Sequence, residues 1–228
     1  MLIPGLSNRD AEAVFVGGNR ADVVYLGTQQ VWPTAGIVQG VMGEQLFVNT
    51  NNTAATQRWN VFIPTEATTL DVVLIGGGGG GGDGGTLGPG EGGICGLWQT
   101  GTYTIGTDFP TGHVLRIQTG EGGEGGGALL NTGGLQGVES WILNKDNNGF
   151  LLTGPGGKPN KAPDRTGLTP PDCVYNGRTS KGGAGGTSSN MNGVGGTAPG
   201  GGGQGGGVEV NGNNGGKGGS GGCYLYFY

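Results

Sequence analysis

Apolar residues in this chain come in short runs, and what cuts the runs is glycine more often than charge. Residues 13–32 read AVFVGGNRADVVYLGTQQVW, with apolar runs at 13–16, 22–26 and 30–32 separated by GGNR and GTQ. β-branched and aromatic runs split by Gly-bearing turns predict a β-meander. So small a meander buries little by itself and calls for a partner surface. Its apolar positions Val14, Val23, Tyr25, Val31 and Trp32 are the candidate docking residues. Residues 34–36 then read as a linker, which divides the chain into an N-terminal β module (1–33), that linker, and a body (37–228).

The body opens with three candidate strands, EQLFVNT, QRWNVFIP and TLDVVLI. In the second, Trp59, Val61 and Ile63 alternate with Asn60 and Phe62, the period-2 pattern of a half-buried strand. The third ends in Val72-Val73-Leu74-Ile75, a run with no polar side, as expected of a strand covered on both faces. It passes without a break into seven glycines, 76–82. Beyond them HVLRIQT, SWILNK, GFLLT and CYLYFY alternate with Gly-rich stretches. Pro or Gly interrupts every segment of helical length, and each interior Gly costs a helix about 1 kcal/mol. The expected fold class is all-β and irregular, with no significant α-helix.

Glycine changes this picture most. Gly supplies 60 of 228 residues, and only seven of them precede Ile75. Where the runs are not pure glycine they keep a G-G-x phase: GGKGGSGGC at 215–223, EGGEGG at 121–126 and GGAGGT at 182–187. A period of three fits an extended helix of three residues per turn, with every third side chain on one edge. The other two edges are bare backbone that can hydrogen-bond sideways and satisfy each N–H and C=O. The expectation is a stack of polyglycine II helices between strands. The competing reading of these runs is a flexible linker. Against it stand the apolar strands between runs and the aromatic strand that closes the chain.

Charge adds mostly exclusions. The net charge is −5, and eleven Lys and Arg are scattered rather than clustered, which argues against a nucleic-acid partner. No apolar stretch reaches the length of a membrane span, and the N-terminal residues lack the apolar core of a signal peptide. Three cysteines, Cys95, Cys173 and Cys223, form no C-x-x-C pair and are expected to be reduced, small and buried in a protein made in the cytoplasm.

WNVFIPTEATTLDVVLIGGGGGGGDGG resembles the opening of the glycine-rich domain of tail fibres and minor tail proteins of tailed bacteriophages: strand, turn, apolar strand, polyglycine. VLRIQTGEGGEGG, LLTGPGGKP and GGKGGSGGCYLYFY look like its later segments in order, and residues 13–32 are similar to a short module that begins many phage tail proteins. The segment 158–180, KPNKAPDRTGLTPPDCVYNGRTS, matches none of these motifs. The resemblance implies a virion component found in the tail, in multiple copies or as a homo-oligomer. Its partners would be other virion proteins and a host cell-surface glycan or cell-wall polymer.

Chemistry for catalysis is not singled out. The lone His113 stands at a strand end without a nucleophile elbow, so no catalytic residue, metal ligand or cofactor is expected. NKDNNG at 144–149 carries half of a calcium loop, but the position of its bidentate Glu is Pro155, and a hairpin turn explains the same letters. Turns should gather at the ends of a glycine stack, so the candidate binding loops are 83–99, 158–180 and 187–199. They carry the candidate host-surface residues Trp98, Arg165, Tyr175, Arg178 and Asn190. An aromatic platform beside polar groups suits a sugar polymer. The alternative, that Trp98 and Tyr175 close the ends of the core, stays open. Two roles follow: an adhesin of the tail, or a structural or decoration protein that touches only the virion.

Overall fold

A computed structural model describes the backbone of residues 15–16, 19–20, 24–26 and 29–32. From residue 37 onward it describes all but 50–55, 86, 111–112, 128–132, 146, 190 and 210–211. In the N-terminal stretch, β1 (Phe15–Val16) pairs with β2 (Asn19–Arg20), and β3 (Val24–Leu26) with β4 (Gln29–Trp32). The expected meander is therefore two antiparallel pairs in separate two-stranded sheets.

The body begins with β5 (Ile37–Gln39), β6 (Gly43–Val48), β7 (Gln57–Phe62) and β8 (Thr69–Ile75). It continues with β9 (Trp98–Thr104), β10 (Val114–Thr119), β11 (Ser140–Asn144) and β12 (Gly149–Gly154). A hairpin of β13 (Cys173–Tyr175) and β14 (Arg178–Ser180) follows, and β15 (Gly222–Phe227) is the last strand. No helix occurs among the described residues.

Two sheets form a sandwich. One has the order β12-β11-β10-β7-β5, antiparallel except for β5 beside β7; the other is β15-β8-β9. Leu70, Val72 and Leu74 of β8 and Cys223, Leu225 and Phe227 of β15 face Val61, Leu115, Ile117 and Ile142 of the first sheet in one core. The opposite face of β8 and β15 is also covered: Val73, Tyr224 and Tyr226 pack with Trp98, Cys173 and Tyr175. Hence the run at 72–75 has no polar side. Cys95 and Cys223 are buried and Cys173 is half-buried, all three as free thiols. Burial raises the pKa of each, most strongly for Cys223, and keeps it a protonated, apolar side chain.

The strands run on into the glycine segments, and there the ladder changes from two directions to three. Gly77, Gly78 and Gly79 donate to Val138, Gly219 and Ile94, and Gly80, Gly81 and Gly82 donate to Leu135, Gly216 and Glu91. The donor advances by three as each partner retreats by three, the signature of antiparallel neighbours on a threefold helix. Their carbonyls accept from Gly157, Gly123, Gly203, Asn160, Gly126 and Gly206 in the same rotation. The segment 76–82 thus has six neighbours, and they bond to one another in a closed ring: 120–126, 133–138, 155–158, 90–96, 200–207 and 215–221. Segment 200–207 is a second centre, ringed by 76–82, 90–96, 165–168, 182–186, 193–198 and 215–221. The lattice is two fused hexagons of polyglycine II.

A helix enclosed on six sides has no room for any side chain. A Cβ on Gly78 would overlap the Gly201 carbonyl, and one on Gly80 the Glu124 carbonyl. Members of the outer ring need bare backbone on each edge that faces another helix, whether the centre or a ring neighbour, and keep a side chain on the edge that faces away. This is the origin of the G-G-x phase: a Cβ on Gly122 or Gly123 would overlap the Gly218 or Leu135 carbonyl. Strand order is inherited, with β12-β11-β10 continuing as neighbours 155–158, 133–138 and 120–126, and β15-β8-β9 as 215–221, 76–82 and 90–96.

Candidate functional site at the loop end of the lattice

Of the six neighbours of 76–82, three run antiparallel to it (133–138, 90–96 and 215–221) and three parallel (120–126, 155–158 and 200–207). Helices that follow one another along the chain alternate in direction, and the sandwich occupies one end of the stack. The described residues of the turns 83–89, 159–164, 187–192 and 208–214 therefore lie together at the other end. Glycine lets the helices pack; these connections are where ordinary side chains return.

The described loops are clamped by amides. Asn160, at φ 46°, accepts from the Gly134 N–H at 3.0 Å, and Asp164 caps Thr166 N at 2.7 Å. Arg165 donates from Nε to the Gly205 carbonyl at 2.7 Å and from Nη2 to the Met191 carbonyl at 2.9 Å, tying 159–164 to 187–192. Asn213 donates to the Gly207 carbonyl at 3.1 Å, and Asn192 accepts from Asn214 N at 3.2 Å. Between these clamps Leu87, Met191 and Val208 stand exposed, Leu87 completely. The result is a rigid, amide-edged end with apolar tips.

Gln204 is the informative exception inside a central helix. It interrupts the run 200–207, yet it is buried. Its side-chain amide donates to the Ser188 carbonyl at 2.8 Å and accepts from Val194 N at 3.1 Å. Here segment 182–186 has already ended, and the primary amide fills the place that the next peptide group of that segment would have taken. The break in the glycine run was the sequence signal for it.

The five residues expected in one binding surface are divided by the fold. Arg165 is at the loop end, as a clamp. Asn190 lies outside the described residues, as do Val14 and Val23, while Tyr25, Val31 and Trp32 fall on strands described by backbone alone. Trp98, Tyr175 and Arg178 are at the sandwich end. The Trp98 indole donates to the Pro171 carbonyl at 2.8 Å, and its ring lies 6.2 Å from that of Tyr224. The Tyr175 hydroxyl shares a hydrogen bond with Thr102 Oγ1 at 2.9 Å. Both contacts fit the reading that these aromatics close the core.

Arg178 makes a latch. Its Nη1 meets Asp71 Oδ2 at 2.7 Å, with Asp71 only 1% exposed in the middle of β8. Its guanidinium lies 4.8 Å from the Tyr226 ring centre and 4.9 Å from that of Tyr228. Asp71 also accepts from Thr102 Oγ1 at 2.5 Å and Asn176 Nδ2 at 3.0 Å. The β13–β14 hairpin is aimed by Asn176 and Gly177, both at positive φ. Asn-Gly between short strands is the strongest short hairpin signal, and it was present in the otherwise unmatched 158–180 segment. The same segment supplies the lattice helix 165–168, so the supposed loops 83–99, 158–180 and 187–199 each hold a packed helix as well as a turn.

At 144–149 the hairpin reading fits the geometry: Asn147 Oδ1 accepts from Gly149 N at 2.8 Å, and Asn148 has φ 52°. No group of three or more His, Cys, Asp or Glu able to hold a metal occurs among the described residues, and none of their helices could cross a membrane, since there are none. No curated protein matches the chain. The family model described as "Glycine-rich domain" matches residues 52–228, from just before β7 through the last residue. Both fused hexagons and nearly the whole sandwich fall within that span, and the chain belongs to the glycine-rich domain family.

Proposed function

We propose that this protein is a non-enzymatic structural component of a phage virion, a tail-associated minor tail protein that contributes to host-surface attachment. One observation carries the reading: a stiff lattice gathers its connecting loops at the end away from the sandwich. Rigid scaffolds with loops at one end are how binding surfaces are commonly built. The resemblance of its motif order to that of phage tail proteins supports the setting. In this arrangement residues 1–33 dock on the virion, and Leu87, Met191 and Val208 with their amide neighbours meet the host surface.

A second reading is a decoration protein of tail or capsid with no host ligand. It is favoured by the contacts that occupy Trp98, Tyr175 and Arg178 internally. Particles carrying Leu87→Asp, Met191→Asp and Val208→Asp together separate the two. Normal incorporation with reduced adsorption to host cells is the expected result. Normal incorporation with unchanged adsorption would leave the decoration reading, and a purified protein absent from every particle fraction would remove both.

A further inference from the structure

The outer face of the five-stranded sheet carries a charge arrangement that the lattice and its loops do not use. Along β7 and β10, Val61, Leu115 and Ile117 point into the core, so the alternating partners Arg58, Asn60, Arg116 and Gln118 point out. The register sets Arg58 opposite Gln118 and Arg116 opposite Asn60. The two arginines are therefore diagonal neighbours, about 7 Å apart at their Cβ atoms.

Each is held by an amide, not by an acid. Arg58 Nε donates to Gln118 Oε1 at 2.8 Å, and Arg116 Nε donates to Asn60 Oδ1 at 3.2 Å. Gln118 is itself only 6% exposed, so its oxygen is a fixed anchor. The ion pairs among the described residues belong to Arg178 and Lys217; neither Arg58 nor Arg116 has one. An amide that takes Nε orients a guanidinium without neutralising it and leaves the terminal N–H groups to fork an oxyanion. Two like charges side by side, in a chain of net charge −5, repel each other until an anion sits between them.

Beside the pair is an aromatic step. The Arg58 guanidinium lies over the Trp141 ring at 5.7 Å. Phe150, on the edge strand β12, meets Trp141 edge-on at 5.6 Å and is 63% exposed. Arginine and aromatic side chains on a flat face are the composition of protein interface centres.

We propose that this face docks a carboxylate-bearing segment of a partner protein, its acids forked by Arg58 and Arg116 and an apolar side chain resting on Phe150. The site uses no loop of the lattice and stands or falls apart from the virion assignment.

The test uses the full chain and a fluorescent hexaglutamate peptide, with hexaglutamine as the uncharged control. Hexaglutamate should bind, weaken as salt rises, and lose about tenfold in affinity when one charge-assisted fork is removed. Arg58→Gln with Arg116→Gln should abolish binding while the far-UV dichroism of the folded chain is kept. Arg58→Lys with Arg116→Lys, which keeps charge but not the fork, should fall between. Binding that survives the Gln pair, or equal binding of hexaglutamine, overturns the proposal. Polyphosphate or hyaluronate binding where hexaglutamate does not would replace the protein partner by another polyanion. A concentration-dependent dimer that the Gln pair dissolves would replace it by a second copy of this chain.

Discussion

The sandwich and the lattice are consecutive stretches of the same strands, yet they are held together in opposite ways. In the sandwich, β8 and β15 bury side chains such as Leu70, Val72 and Leu225, fully removed from solvent. Each such residue contributes about 1.5–3 kcal/mol of apolar burial. One residue past Ile75 the side chains are gone, and the same chain is held by peptide groups alone. Each lateral bond contributes about 0.5–1.5 kcal/mol net, against about 1–2 kcal/mol to fix a residue's backbone. The sandwich can lose a methyl group and relax; the lattice has nothing to relax. Its stability depends on every bond being made and on the strands that deliver each helix in register.

The largest effect should therefore come from adding atoms to the lattice, not from removing them from the core. Leu225→Ala should cost about 2–5 kcal/mol and leave a folded protein. Gly80→Val places a branched side chain against the Glu124 backbone, where no rotamer avoids it, and should prevent the lattice from forming. Chemical denaturation read by far-UV dichroism compares the two. A Gly80→Val protein as stable as the Leu225→Ala protein would mean that the glycines are only tethers.

The latch tests how the third layer is joined to the sandwich. Arg178→Ala leaves the Asp71 carboxylate buried without its cation, with hydroxyl and amide partners such as Thr102 and Asn176. Removing one member of a buried pair costs about 3–5 kcal/mol, and the partly exposed Arg178 side chain lowers the expectation to about 2–3 kcal/mol. Hydrogen exchange should show the β13–β14 hairpin opening before the sheets. Uniform exchange across all strands would mean that the latch does not bound a separate unit.

These two regions were not equally legible. The apolar runs at 57–64, 69–75, 113–119, 140–145, 149–153 and 223–228 sit on or across β7, β8, β10, β11, β12 and β15, because side-chain burial writes itself into the sequence as period and composition. Strand β9, WQTGTYT at 98–104, has polar alternation without an apolar face and carries no strand signal. The G-G-x phase predicted threefold helices. It could not say which helices are central, because that depends on who the six neighbours are. The site residues were hardest. Trp98, Tyr175 and Arg178 are aromatic and cationic residues in polar, Gly- and Pro-rich surroundings, a composition shared by binding loops and by a hairpin that caps a sheet.

A smaller effect separates side-chain amide from backbone amide. Gln204→Ala removes two hydrogen bonds at the place where segment 182–186 ends, and should cost about 1–2 kcal/mol. Gln204→Gly makes the helix uniform. If it is no more stable than the Ala variant, the amide and not the absence of a side chain is what that position requires.

The smallest effect belongs to the outer edge of the lattice, where side chains are tolerated. Lys217 reaches Glu121 at 3.1 Å and Glu124 at 2.6 Å on the neighbouring helix. Burial alone would lower the Lys217 pKa, but hydrogen bonds and charge from Glu124 and Glu121 outweigh it and hold the ammonium above the usual lysine value. A pKa raised on folding adds stability that is complete below the unfolded value and is lost as pH climbs through the folded one. The contribution should thus be flat through neutral pH and fade only in the alkaline range. Lys217→Ala, at a largely solvent-screened pair, should cost no more than about 1 kcal/mol and flatten that alkaline decline. Gly219→Val, two residues away, turns a Cβ onto the Thr197 carbonyl and should destabilise far more. Thermal melts of the two variants side by side decide it: equal shifts would mean that edge and interior of the lattice do not differ, and the hexagonal packing would have to be abandoned.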